Sequence, residues 1–266
     1  MPSNRIRIIF IGDVIGRYGR QFLKLAVPCL RQWYIPDLVV ANGENAAGGL
    51  GLTEKSAAEI FAAEVDLITS GNHIWDKREA LELLKNEDRI IRPLNFHPDN
   101  PGRGYCFWQI QDQVEIAVVN LQGRVFMEPV VDNPFTAVEK LLPDLPGRLI
   151  LVDFHAEATA EKQAMGYFLD GRVSVVLGTH THVPTADARI LPKGTAFQTD
   201  VGMTGSLNSI IGMKKEPIVK NFIYGTRERF EVEKGGLILD FTMVELDPDS
   251  GKALSIETRR LHESDC

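Results

Sequence analysis

Cysteine is scarce in this chain. Cys29, Cys106 and Cys266 are its three, widely separated and with no CxxC pair. That argues against a disulfide framework or a zinc ribbon and fits a reducing cytoplasm. Long apolar runs are missing too, and no stretch approaches the length of a membrane span. From Arg5 the chain passes straight into a short strand-like run, without the basic-then-apolar order of a signal peptide. A basic excess is also absent. The 29 Lys and Arg face 36 Asp and Glu, a formal net charge of −7, which argues against a surface that grips long nucleic acid. A nucleotide or a single phosphate in a local pocket remains compatible. A soluble, cytoplasmic protein is the expectation.

What is present is a pattern of short β-branched runs separated by helical stretches. Strands are expected near residues 6–12, 38–41, 65–70, 149–154 and 173–177. Helices are expected near 21–34, where Pro28 could kink or shorten the helix, and near 53–64, entered at the cap residue Thr53. Two more fall near 75–85 and 157–169. Runs 105–110 and 115–121 are close enough to pair antiparallel around Gln111-Asp112-Gln113. Beyond Ala186 no strong helix is expected, but several strands are, ending with 237–244 and 253–258. Strands alternating with helices imply an α/β fold, and the strand-rich last third favours a sandwich of two mixed sheets flanked by helices. No repeat or linker interrupts residues 1–266, which read as one domain.

The polar residues gather where the apolar runs stop. The first run ends in Gly12-Asp13, the second in Gly43-Glu44-Asn45, the third in Gly71-Asn72-His73. The run at 149 ends in Asp153-Phe154-His155, and the run at 173 in Gly178-Thr179-His180-Thr181-His182. Of only six histidines, four occupy these turns. In open α/β sheets the C-terminal strand edge is where ligands bind. Carboxylate, amide oxygen and imidazole without thiolate suit manganese, iron or catalytic zinc. A bridging carboxylate would let two cations share one water and one phosphate, and His73 would be free to protonate a leaving oxygen.

Each piece alone has a plainer explanation. Asp13 could cap a helix, Asn42-Gly43 is a turn signal, and Gly71-Asn72-His73 could hold a core histidine. His180 and His182 are harder to dismiss, because alternate residues of an extended segment share a face. Arg17 and Arg20 at a helix start could meet a phosphate, with surface pairing the plainer reading. Residues 12–19 fit neither GxGxxG nor a P-loop, and Ser206 completes no GxSxG elbow.

In order along the chain, GD, GNH, a lone His and GTHTH resemble the calcineurin-like metallophosphoesterases. GDVIGRYGR, ANGENAAGG, SGNHIWD, DFHAEATAEK, GTHTHVPTAD and QTDVGMTG together resemble the YmdB family of small bacterial phosphoesterases over most of the chain. The resemblance implies a four-layer α/β/β/α sandwich, a dinuclear site and phosphodiesterase activity, with 2′,3′-cyclic nucleotides as a substrate class. The superfamily's usual DxH is broken here, since Val14 and Ile15 follow Asp13. Glu44 stands where the bridging Asp is usual, and Asn45 beside it compensates for the lost histidine.

The resemblance thus implies Asp13, Asn45 and His182 at a first metal, Asn72, His155 and His180 at a second, and Glu44 between them. It places His73 at the catalytic position. Two divalent or trivalent ions are implied, iron or manganese foremost. Asp153, Glu157 and Thr181 are candidates for orienting the ligand imidazoles. A phosphomonoesterase, or a metal- or nucleotide-binding regulator with little turnover, are the rivals. Rim loops 46–52 and 126–135 carry no motif that decides between the two esterases. Phe126, Met127, Val130 and Val131 near Pro129 suit either a homo-oligomer contact or a packed loop.

Overall fold

A computed structural model describes residues 5–111, 114–226 and 228–266. In chain order β1 (Ile6–Ile11), β2 (Asp13–Val14), α1 (Gly16–Tyr34), β3 (Leu38–Asn42), α2 (Glu54–Phe61), β4 (Leu67–Thr69) and α3 (Ala80–Asn86) come first. They are followed by β5 (Tyr105–Gln111), β6 (Val114–Gln122), α4 (Pro134–Leu141), β7 (Ile150–His155), α5 (Thr159–Leu169) and β8 (Val175–Thr179). The last third holds β9 (Arg189–Ile190), β10 (Ala196–Gln198), β11 (Met203–Ser206), α6 (Lys215–Tyr224), β12 (Leu237–Leu246) and β13 (Ala253–His262).

The strands form two mixed sheets. The first runs β2-β11-β12-β1-β3-β4, with β13 also paired to β12. The second runs β5-β6-β7-β8-β10-β9. Within them β1, β3 and β4 are parallel, as are β6, β7, β8 and β10.

Strand alternation builds the layers. Ile9, Ile11, Val39 and Ala41 pack under Phe22, Leu23, Val27 and Leu30 of α1 and Ile60 of α2. Their neighbours Ile8, Phe10, Leu38 and Val40 face the opposite way, against Ile116, Val118, Leu151, Val175 and Leu177. On the far side of the second sheet, Val119, Leu121, Val152 and Phe154 meet Val138 of α4 with Met165 and Leu169 of α5. Helix, sheet, sheet and helix therefore stack as four layers around three apolar seams. Complete burial of one such side chain, Phe10 for example, contributes about 1.5–3 kcal/mol.

Several elements depart from expectation for identifiable reasons. α1 starts at Gly16 and runs through Pro28. Its long buried face outweighs the one backbone bond that proline removes. The helix expected near 75–85 splits into a 3-10 turn, Ile74–Asp76, and α3. α4 was not expected and begins at the end of the stretch read as a rim loop: Asn133 Oδ1 accepts from Phe135 N at 2.9 Å, and Pro134 sits in the first turn, where its missing N–H costs nothing. α6 falls in the last third, where no strong helix was expected, although Ile218, Val219, Phe222 and Ile223 recur at helical spacing; only Ile218 of them is buried. β5 and β6 pair antiparallel as expected, while Asp112 and Gln113, around which the pairing was expected, lie outside the described residues. The apolar group near Pro129 divides. Met127 and Val131 are packed, whereas Phe126 is 88% and Val130 83% exposed.

Candidate metal centre

β1, β3 and β4 of one sheet and β7 and β8 of the other all end at the same edge, and the polar turns meet there. Asp13, Glu44 and His155 are fully buried, Asn45 and His182 nearly so, and Asn72, His73 and His180 partly. Asp13 caps no helix: Ile15 holds that position on α1, without a side-chain cap.

His155 stands at the middle. Its Nε2 lies 3.1 Å from Asn72 Oδ1, 3.1 Å from Glu44 Oε1 and 3.1 Å from His180 Nδ1. One ring nitrogen carries at most one proton, so lone pairs must face one another here. The approach of Glu44 Oε1 lacks hydrogen-bond alignment and leaves that buried oxygen without a donor. The ligating atoms of Glu44, His155 and His180 all lie within 4.8 Å of one another. Beside this group, His182 Nε2 lies 3.3 Å from Asn45 Oδ1 and 3.8 Å from Asp13 Oδ1. Asp13 Oδ1 is buried and also has no hydrogen-bond partner.

Orphaned, buried carboxylate oxygens are costly. Two of them opposed to imidazole and amide lone pairs are what a cation would relieve. The donor set fits a hard or borderline metal ion, with Glu44 grouped with His155, His180 and Asn72, and with Asp13, Asn45 and His182 beside them.

The electrostatics have the same origin. Burial pushes the Asp13 carboxyl up, and Glu44 and Asp200 add to this against His182 and His155. Glu44 is also penalised by burial, yet the charge on His155 beside it holds its carboxyl down at about 2. The reverse applies to His155, whose burial is outweighed by Glu44, Asp13 and Asp153, raising it to about 9. Burial and the neighbouring His155 push His180 down to about 3 and keep its ring neutral. A bound cation would take the place of the His155 proton.

Surrounding bonds fix how these groups point. Thr179 Oγ1 donates to Asp153 Oδ1 at 2.7 Å, so it accepts from His155 Nδ1 at 2.9 Å and leaves Nε2 facing the cluster. His182 Nδ1 donates to Ile211 O at 2.9 Å, turning its Nε2 inward. Asn45 Nδ2 donates to Gly49 O at 3.0 Å, which aims Oδ1 at His182. Glu157 Oε2 lies 3.1 Å from His180 Nε2. Asp153, through Thr179, and Glu157 thus stand behind the His155 and His180 imidazoles. Thr181 instead contributes its backbone N–H, to Asp200, at 3.1 Å.

Gly71 is required by close approach. A Cβ there would lie 2.2 Å from His155 Cδ2 and 2.4 Å from Glu44 Oε2. The turn it permits lets His73 N donate to Glu44 Oε2 at 3.1 Å. The His73 ring is partly exposed, with Nδ1 2.8 Å from Asp76 Oδ2, so Nε2 is turned away from that carboxylate.

Residues unassigned in the sequence also prove structural to the site. Asn42, there a turn signal, is buried and accepts from Glu44 N at 3.1 Å while donating to Asp153 Oδ2 at 3.1 Å. Asn120 accepts from Ser70 N at 3.2 Å just before the Gly71 turn. Its signal was a polar residue within the apolar run VVNLQ. Arg20 is buried and donates to Glu59 and Ala46 O, so it braces the glycine-rich loop and does not face a phosphate. Arg17 is exposed. A groove of about 690 Å³ between α2 and α3 is lined by Ala57, Phe61, Leu83 and Arg89 and by none of the converging groups.

The description "YmdB-like protein" matches residues 9–259. The chain belongs to the YmdB-like family. A relative from Bacillus subtilis (strain 168), named 2′,3′-cyclic-nucleotide 2′-phosphodiesterase, is 46% identical over 254 residues, covering 95% of this chain and 96% of its own. A crystal structure described as a novel phosphatase from Mycoplasma pneumoniae superposes with a TM-score of 0.92 at 39% identity, covering 97% of this chain and 94% of that one. A hypothetical protein from Thermus thermophilus gives 0.91 at 43% identity, covering 97% and 100%. The fold of this YmdB-like chain is therefore shared with the structure described as a phosphatase. Among its described residues no helix is long and apolar enough to cross a membrane.

Proposed function

We propose that this YmdB-like protein is a dinuclear-metal phosphodiesterase acting on 2′,3′-cyclic nucleotides in the cytoplasm. The observation that carries it is the pair of buried, partnerless oxygens, Asp13 Oδ1 and Glu44 Oε1, set among imidazole and amide donors. Asp13, Asn45 and His182 would hold one ion and Asn72, His155 and His180 the other, with Glu44 shared. Iron or manganese suits carboxylate, amide and imidazole without thiolate. The substrate class comes from the name of the Bacillus subtilis relative, and the free state of Cys29, Cys106 and Cys266 suits a reducing compartment.

The chemistry such a pair supplies when bound is activation of water and neutralisation of phosphoryl charge. The chain's residues do the rest. Glu44 holds the turn of His73 through the backbone N–H, and Asp76 holds its ring through Nδ1. His73 Nε2 then carries the proton to the leaving ester oxygen as the P–O bond to it breaks. His155 is kept in one tautomer by Thr179 and Asp153 and takes no part in proton transfer.

The test is hydrolysis of 2′,3′-cyclic AMP and of bis(p-nitrophenyl) phosphate by chelator-stripped protein, before and after adding Mn²⁺ or Fe²⁺. Turnover restored by metal, and absent in Glu44→Ala, is the expected result. Equal turnover with and without metal would sink the metal mechanism. Metal-restored cleavage of the monoester p-nitrophenyl phosphate, assayed in parallel, without cleavage of either diester would make the protein a monoesterase. A folded, metal-loaded protein without turnover would make it a binding or regulatory one.

A further inference from the structure

Residues 199–202 carry the chain from β10 in the second sheet to β11 in the first, and on the way they touch both halves of the metal cluster. Val201 N donates to Gly178 O at 2.9 Å and Asp13 N donates to Gly202 O at 3.0 Å. The contact with the Asp13 turn is so close that a Cβ on Gly12 would lie 2.1 Å from Gly202 O. Asp200 sits at the centre of this crossing. Its Oδ1 accepts from Gly202 N at 2.9 Å, and its Oδ2 accepts from Thr181 N at 3.1 Å and from Lys162 Nζ at 2.6 Å.

Lys162, on α5, is as deeply buried as Asp200, with side chains 2% and 1% exposed. A buried ion pair repays its desolvation poorly, and apolar side chains of similar volume often fold as well or better. Folding alone gives little reason for it. The turn it grips does. Thr181 lies between His180 at φ +101° and His182 at φ +64°, both in a region that side-chain-bearing residues enter only under constraint. An acceptor-only group fixed on the peptide between them, and fixed also to the segment that bonds Asp13, ties ligands from both sheets to one point.

We propose that the Lys162–Asp200 pair is a positioning device that holds His180, His182 and Asp13 in their ligating arrangement and so sets the cation affinity of both halves of the centre together. This rests on the reading of the cluster as a metal site. Asp200 keeps the turn closed through Thr181, and Lys162 keeps Asp200 in place. Neither touches substrate.

The experiment is calorimetric titration of chelator-stripped protein with Mn²⁺, with urea unfolding of each metal-free variant measured alongside. Lys162→Met and the double variant Lys162→Met/Asp200→Asn are compared with the parent. The double variant removes both buried charges, so it folds without a lone ion in the core. Its amide still cannot accept at both of the positions the carboxylate serves. Roughly 10–100-fold weaker binding of both ions is expected in folded variants, the usual cost of losing a group that orients ligands. Parental affinity in either folded variant would overturn the proposal. So would loss of the folded state in both, which would assign the pair to the fold. A parent that binds no Mn²⁺ would remove the metal reading itself and the proposal with it, an outcome visible before any variant is made.

Discussion

A turn after β3 needs no carboxylate, yet Glu44 is there, fully buried, 3.1 Å from His155 Nε2 and bonded to the backbone of His73. At the residue scale this one side chain couples the proposed metal ligands to the proposed acid. His73→Ala should therefore keep its metal and lose turnover of 2′,3′-cyclic AMP by about 10²–10⁴-fold, the range for losing a general acid. With bis(p-nitrophenyl) phosphate, whose phenolate leaves without help, the loss should be much smaller. Equal losses on both substrates, read from kcat with metal content checked, would end the acid role. Gly71→Ala is the companion test. The added Cβ has no room beside His155 and Glu44, so stability should fall by about 1–3 kcal/mol and Mn²⁺ should bind at least tenfold more weakly by chelator competition. The seven candidate ligands were legible because each stands where an apolar run stops. Thr179, Asn42 and Asp200 were not, since their roles depend on neighbours from distant strands, and a buried threonine or aspartate looks the same in sequence whatever it holds.

At the scale of elements, caps and burial periods decided what could be read. Thr53 was marked as a cap, and its side chain does accept from Ser56 N at 3.2 Å while Ser56 Oγ accepts from Thr53 N at 2.9 Å. Thr53→Ala should cost about 0.5–2 kcal/mol, or a few degrees in melting temperature at about 2–4 °C per kcal/mol for a chain of this size. Scanning calorimetry measures it, and kcat should be unchanged because α2 carries no group of the centre. A fall in kcat would mean that α2 positions the glycine-rich loop more directly than Arg20 does. Nine strands, β1, β3 to β8, β12 and β13, were legible from their apolar runs to within a few residues, whereas β2, β9, β10 and β11, of two to four residues each, were too short to bound. α6 was overlooked among the strand patterns around it, although Ile218, Val219, Phe222 and Ile223 recur at helical spacing, and only Ile218 of that stripe is buried. The start of α1 was hidden because Gly16 and Gly19 read as a loop, whereas Gly19 lets the helix pack close to β11, where a Cβ on it would lie 2.5 Å from Thr204 O.

For the whole molecule, the two-sheet architecture and the proposed metal centre are one problem. Asp13, Glu44, Asn45 and Asn72 come from the ends of the first sheet, and His155, His180 and His182 from the second. Cations held between them would clamp sheet to sheet at an edge where, without them, buried oxygens face lone pairs. A ligand that binds only the folded state adds about 2.7 kcal/mol at a hundredfold excess over its Kd. Chelator treatment should then lower the melting temperature by about 5–10 °C on the same scale of 2–4 °C per kcal/mol, in addition to abolishing activity. The first and last strands share one sheet, β12 being paired both with β1, from Ile6 to Ile11, and with β13. Loosening the clamp should thus move a single transition and not create a second one. Glu44→Ala makes the test specific: the shared carboxylate is gone, so adding Mn²⁺ should raise the melting temperature of that variant by much less than the parent's. A parent whose melting temperature ignores both chelator and Mn²⁺ would mean that the ligands meet without gripping anything, and the clamp would have to be abandoned along with the mechanism built on it.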